Sequence, residues 1–253
     1  MKKALIVLMI CALLTGLAVP AFAAERDRLL TLVNPWNTIP EDWTVQLVSI
    51  GNGHKVDKTC YDDLMAMMAA CRDAGLSPVI RSSYRTQKTQ EQLYANKVRQ
   101  WRGYGYSEEA ARKKAATIVA VPGTSEHQLG WAVDIVDKSY QVLDEKQADT
   151  AAQKWLMAHS WEYGFILRYP TDKSDVTGII YEPWHYRYVG RDNAQKIHAS
   201  GLCLEEYLER ESVKETVRGA VAELRLDGSR RIFRLLTRCA DIFDRIVDRT
   251  TSN

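Results

Sequence analysis

The chain has 253 residues, 46% hydrophobic and 26% charged, enough for one sizeable core and outside the ranges of disordered chains and multi-span membrane proteins. Its formal charge of +2 is matched by Lys2 and Lys3: without them the 34 basic residues become 32, against 32 acidic ones. A neutral body carries no electrostatic footprint for nucleic acid or for a polyanionic polymer, so neither is expected as a partner.

The N-terminus stands apart. Lys2 and Lys3 precede an apolar run from Ala4 to Val19 and the exit Pro20-Ala21-Phe22-Ala23-Ala24. A basic start, a short apolar stretch and an A-x-A exit predict a secretory signal peptide over residues 1–24 and a secreted or extracytoplasmic mature chain. Cys11 lies inside the apolar stretch without the small neighbours of a lipoprotein cleavage site. Of the other cysteines, Cys60 and Cys71 fall on one predicted helix, about 16 Å apart at 1.5 Å per residue and beyond disulfide reach. Buried free thiols are expected, with a Cys203–Cys239 bridge left open.

Leu29 to Val33 and Val45 to Ile50 read as short strands, and Gly51-Asn52-Gly53 as a turn. Asp57 to Ala74 has Leu64, Met65, Met67, Met68 and Cys71 at helical spacing with Gly75 as a stop, so the methionines are expected in the core. A strand from Pro78 ends in Ser82-Ser83-Tyr84-Arg85; helices are predicted over Thr86–Trp101 and Ser107–Val119. A loop at Pro122–Ser125 leads to a strand through Ala132–Val136. A helix over Asp149–His159, strands at Phe165–Arg168 and His185–Val189, and a helix over Asp192–Ala199 follow. Helices and short strands without βαβ alternation predict an α+β domain with a small, mostly antiparallel sheet flanked by helices over residues 25–204. Residues 205–253 read as a C-terminal helical extension. A helix over Glu205–Leu224 is followed by an amphipathic stripe of Ile232, Leu235, Cys239, Ile242 and Ile246, which packs on the domain or forms a dimer seam.

Three separated clusters carry chemistry: Ser125-Glu126-His127-Gln128-Leu129-Gly130-Trp131-Ala132-Val133-Asp134, then Glu182-Pro183-Trp184-His185, and Ser82-Ser83-Tyr84-Arg85 with Gln90 after it. A catalytic zinc needs about three ligands from His, Asp or Glu and an open position for water. His127, Asp134 and His185 can supply them if the strands bearing Asp134 and His185 are neighbours, about 4.8 Å apart. Glu182 can then act as the base that takes a proton from water and returns it to a leaving amine. Arg85, at a strand end, can hold a carboxylate or steady an oxyanion. Glu126 is the rival carboxylate; as the neighbour of His127 on an extended chain it is expected to face solvent. His54, His159 and His198 match no ligand spacing and are expected to be structural or exposed.

The joint pattern S-x-H-x-x-G-x-A-x-D, E-x-W-H and S-x-Y-R resembles the M15 zinc peptidases, in particular the VanY-type D-alanyl-D-alanine carboxypeptidases, over about Val45 to Leu208. The resemblance implies a fold like that of Hedgehog and the D,D-peptidases, a Zn2+ cofactor held by His127, Asp134 and His185, a catalytic Glu182 and a substrate-orienting Arg85. It also implies Ser125 in the substrate pocket, with Gln90 beside it and Tyr84 as a wall. Peptidoglycan stem peptides would be the substrates, losing their terminal D-alanine. An L,D-carboxypeptidase acting on tetrapeptide stems, a dipeptidase for free D-Ala-D-Ala and a non-catalytic wall-binding module remain as alternatives. A serine D,D-carboxypeptidase needs S-x-x-K and K-T-G, and a thermolysin-like protease needs HExxH; the chain has none of these.

Overall fold

Two glycines flanking Asn52 close a hairpin: β1 (Leu47–Gly51) pairs antiparallel with β2 (His54–Asp57), and Asn52 adopts the left-handed conformation that such a turn requires. The computed structural model describes residues 28–226, with side chains to residue 218, and those from Leu32 onward belong to one compact unit. The predicted signal peptide, Cys239 and the amphipathic stripe from Ile232 lie outside the described residues. The strand expected at Leu29–Val33 does not form. Just beyond it, the Asn34 carboxamide oxygen accepts from the backbone of Trp36 and Asn37, which favours a turn over an extended run.

Asp57 ends β2 and caps α1 (Lys58–Asp73), its side chain accepting from Thr59 N at 2.9 Å. The apolar stripe of α1 buries Cys60, Leu64, Met67, Met68 and Cys71, so the methionines are core residues and Cys60 and Cys71 are free thiols. Thr86 caps α2 (Gln87–Gly103) and Ser107 caps α3 (Glu108–Ala116). These two helices pack as a hairpin around Val98, Ala111 and Ala115.

The main sheet is antiparallel throughout, in the order β3 (Pro78–Ser82), β4 (Ala132–Asp137), β6 (His185–Tyr188), β5 (Phe165–Leu167). β4 is buried along its whole length, as a central strand covered on both faces must be. One face is fixed by α4 (Ala151–His159): the Tyr186 hydroxyl donates to Gln153 Oε1 at 2.7 Å, so Tyr186 and its pairing partner Val133 point toward that helix. Strand alternation then sends Asp134, His185 and Arg187 to the other face. The remaining described helices are α5 (Ser174–Thr177), α6 (Arg191–Ser200) and α7 (Leu204–Leu226). The domain boundary expected after residue 204 falls inside the first turn of α7, where Leu204 and Tyr207 are buried.

Candidate active site

Register brings the first two site residues together. Asp134 on β4 pairs directly with His185 on β6, and Ser82 at the end of β3 pairs with Asp134 from the other side. His127 enters from a 3-10 turn (Glu126–Leu129) that ends at Gly130 with φ 81°. The side chains of His127, Asp134 and His185 are buried, and their donor atoms lie within 4.8 Å of one another. The two imidazoles face each other, centroids 4.9 Å apart and nearly perpendicular.

His127 Nδ1 lies 2.8 Å from the Ser83 carbonyl, an acceptor only, so Nδ1 carries the proton and Nε2 presents a lone pair toward Asp134 Oδ2 at 3.3 Å. His185 uses the opposite nitrogen: its Nδ1 is 3.2 Å from Asp134 Oδ1. Burial, then the nearby Arg85 charge, pushes the His127 imidazole down to about 4. For His185 burial also opposes the charged form, but Asp134 and Glu126 outweigh it and raise the group to about 9. Asp134 is held well below the carboxylate range because the two imidazoles and Arg85 overcome the effect of its burial.

Glu182 is placed by a turn. His185 N donates to the Glu182 carbonyl at 3.1 Å with Pro183 at the second position, and this returns the Glu182 carboxylate to 3.7 Å from His185 Nδ1. Burial raises the Glu182 carboxyl to about 8, the behaviour of a group poised to exchange a proton near neutrality. Arg85 stands opposite. Its Nη2 donates to Asp134 Oδ2 at 2.9 Å, Nε to Ser82 Oγ at 2.9 Å, and Nη1 to Gln90 Oε1 at 3.4 Å.

These groups open on a cavity of about 220 Å³ lined by Arg85, Ser125, His127, Asp134, Glu182 and His185 on its polar side. Leu93, Ile118, Ile179 and Trp184 make apolar walls, with Tyr169 packed on His185. Of the expected substrate-pocket residues, Ser125 lines the cavity. Gln90 does not: it is fully buried beneath Arg85, with its amide donating to the Ala120 carbonyl at 2.7 Å, because its position on α2 turns it inward. Tyr84 does not line it either; its backbone N–H is bound to the Lys55 carbonyl beside the hairpin. His54 meets Ser83 Oγ, His159 pairs with Glu162, and His198 stacks on Trp161, all outside the site.

Glu126 corrects an expectation. It does not face solvent: it is 1% exposed, and its Oε1 accepts from Arg168 Nε and Arg187 Nη1, each at 2.7 Å. The 3-10 turn, unlike an extended chain, lets Glu126 and His127 both point into the fold. Burial alone would raise the Glu126 carboxyl; the two guanidiniums hold it well below its ordinary range. Arg168 and Arg187 are the site-adjacent residues that sequence reasoning missed. The available signal was their spacing of two from Ile166 and His185, which puts them on the site's face of the sheet.

Among the buried polar atoms here, Asp134 Oδ1 has no hydrogen-bond partner. Buried acceptors are seldom left so, and this one points at His185 Nδ1 within the trio. Two imidazoles and a carboxylate bordering an open cavity form the donor set of a catalytic zinc, so the residues fit that ion. Fold and site together define a zinc metallopeptidase.

The comparisons agree. The sequence pattern of the VanY D-alanyl-D-alanine carboxypeptidases matches residues 53–191, and the chain belongs to that family. It is 44% identical to a D-alanyl-D-alanine carboxypeptidase of Enterococcus faecalis over 74% of this chain and 68% of the relative. Among solved structures it is similar to a Zn(II) complex of a mutant vancomycin resistance D,D-pentapeptidase VanY (44% identity, TM-score 0.65, 71% of this chain and 98% of that one). It is also similar to the LdcB LD-carboxypeptidase (34% identity, TM-score 0.61, 73% of this chain and 87% of that one).

Proposed function

We propose that this zinc carboxypeptidase is exported and removes the terminal D-alanine from peptidoglycan stem peptides, with a pentapeptide ending in D-Ala-D-Ala as its preferred substrate. The observation that carries the reading is the buried Glu182 carboxylate, 3.7 Å from the imidazole of His185 and facing the cavity. His127, Asp134 and His185 would hold the zinc ion, which when bound would supply the Lewis acid that makes water a nucleophile near neutral pH. Glu182 takes the proton of the attacking water on its carboxylate and delivers it to the departing amine of D-alanine. Arg85 offers its guanidinium to the substrate's terminal carboxylate or to the developing oxyanion, held in aim by Ser82 and Gln90. Ser125 lies where it can hydrogen-bond the substrate backbone, and Tyr169, Trp184 and Ile179 keep bulk water from the reacting atoms. The basic-apolar leader with its A-x-A exit supports action in the cell-wall space.

The second reading, cleavage of an L,D bond in tetrapeptide stems, is favoured by the similarity to LdcB, since both substrates present a terminal D-alanine carboxylate. Mass spectrometry of purified tetrapeptide and pentapeptide muropeptides after incubation separates the two. Loss of one alanine from the pentapeptide alone is the expected outcome; loss from the tetrapeptide alone overturns the D,D preference.

A further inference from the structure

The reaction uses one ring nitrogen of His185 and leaves the other, with the charges behind it, without a role. His185 Nε2 faces Glu126 Oε2 across 3.5 Å, an ion-pair distance, and both atoms are buried without a hydrogen-bond partner. The far oxygen of Glu126 binds Arg168 and Arg187. Arg168 in turn points its two terminal nitrogens at Glu205, Nη1 to Oε2 at 2.8 Å and Nη2 to Oε1 at 2.6 Å. Glu205 is the second residue of α7, and Asn34 donates to its Oε1 at 3.0 Å. The chain of contacts therefore starts on a helix beyond the family-matched residues 53–191 and ends on a metal-ligand imidazole.

Two guanidiniums against two carboxylates balance the charge, as burial demands. Apolar side chains of the same volume often serve stability as well, so a buried ionic chain is weak evidence for a purely stabilising role. Directionality is the property it has and apolar packing lacks. A ligating imidazole normally presents its second nitrogen to a carboxylate, which fixes ring orientation and tautomer. Glu126 stands in that place, and its own orientation depends on Arg168, which the Glu205 fork holds from behind.

We propose that Glu126 and Glu205 are positioning residues for the metal: Glu205 fixes Arg168, Arg168 fixes Glu126, and Glu126 fixes the His185 ring so that Nδ1 presents its lone pair to the cavity. The inference rests on the reading of His127, Asp134 and His185 as the zinc ligands. Arg187, over the Trp131 ring at 5.5 Å, braces Glu126 from the second side.

The test measures Zn2+ affinity of the full chain by chelator competition, the absorption spectrum after Co2+ substitution, and thermal unfolding without metal. Glu205→Gln is expected to weaken zinc binding by about tenfold and to change the cobalt spectrum, and Glu126→Gln by about ten- to a hundredfold. Glu206→Gln is the control: it breaks the 2.6 Å Lys173–Glu206 ion pair on the same turn of α7, away from the ligands, and should leave zinc affinity within about twofold. If Glu205→Gln lowers the unfolding temperature yet binds zinc as the wild type does, the network is structural only and the proposal fails. Should Glu126→Gln not fold, Glu205→Gln and its partial rescue by Glu205→Asp decide the matter. His185→Ala separates the two readings. Unchanged zinc affinity in that variant would mean that the ligand assignment, rather than the positioning role, is at fault.

Discussion

Arg85 Nη2 and Asp134 Oδ2 meet at 2.9 Å, so the guanidinium that faces the cavity is braced on one of the three candidate metal ligands. The remaining nitrogens of Arg85 are taken by Ser82 and Gln90, which leaves the cation little freedom to turn away. Replacement by alanine removes a charge-assisted contact of about 1.5–3 kcal/mol, and kcat/KM for peptides with a free terminal carboxylate should fall roughly 10- to 100-fold. Arg85→Lys should restore little, because a point ammonium cannot hold Ser82, Gln90 and Asp134 together. Steady-state kinetics on a free acid and its C-terminal amide provide the check. Equal turnover of the two by the wild type would remove the carboxylate-clamp role.

Glu182 has one oxygen 3.7 Å from His185 Nδ1 and lies outside the trio of metal donors. Glu182→Gln keeps the shape and removes the proton acceptor, so D-alanine release should drop by about 10²–10⁴. Zinc content, read by elemental analysis, should stay near that of the wild type. A variant that still hydrolyses at the wild-type rate would take Glu182 out of the reaction.

Zinc binding should release protons at neutral pH. In the protein without metal, His185 is raised to about 9 and Glu182 to about 8, so both groups carry protons at pH 7. A cation needs the His185 lone pair and draws the Glu182 proton off by repulsion. Affinity should therefore rise with pH, by up to about one decade per pH unit for each proton displaced, and level off above about pH 9. His127, pushed down to about 4, adds its own proton only in acid. Calorimetric titration in two buffers of different ionisation enthalpy reads the proton count directly; a count of zero at pH 7 contradicts the account.

Gly130 joins the turn carrying His127 to the strand carrying Asp134. Its φ is +81°, and a Cβ there would lie 2.6 Å from Val45 Cγ1 and 3.1 Å from Asp57 Cβ. Gly130→Ala should cost about 1–2 kcal/mol for the left-handed backbone alone, with the Val45 clash added. The unfolding temperature should then fall by roughly 4 °C or more. Gly75→Ala is the matched comparison, with φ +80° and nothing within 4 Å, so it should lose less stability. Only the Gly130 variant should also bind zinc more weakly. Identical losses in the two variants would show that contact at Val45 and Asp57 has no effect.

Much of this site is readable in the linear sequence, because the donors of a catalytic zinc belong to few residue types and sit at constrained spacings. His127, Asp134, Glu182 and His185 were identifiable from the residues in their clusters, and most helices from their caps and stops. The omissions have physical causes. β2 has four residues and a single buried apolar side chain, too short to show alternation. Alternation along an extended chain sends Glu126 to solvent, but a 3-10 turn does not alternate. Its partners Arg168 and Arg187 lie 42 and 61 residues away, a distance over which no local pattern speaks. The family resemblance implies Gln90 beside the pocket, whereas α2 turns it beneath Arg85 as a support.

Which atoms could bind a metal, and which carboxylate could move a proton, follows from residue identity, since those are properties of side chains. That these atoms meet follows from the folded chain alone. The pairing of Asp134 with His185 depends on the register of β4 against β6, and a slip by one residue would send His185 to the α4 face. That register is held by packing and backbone hydrogen bonds among segments far apart in the chain. The same long-range packing carries the first turn of α7 to the back of the site.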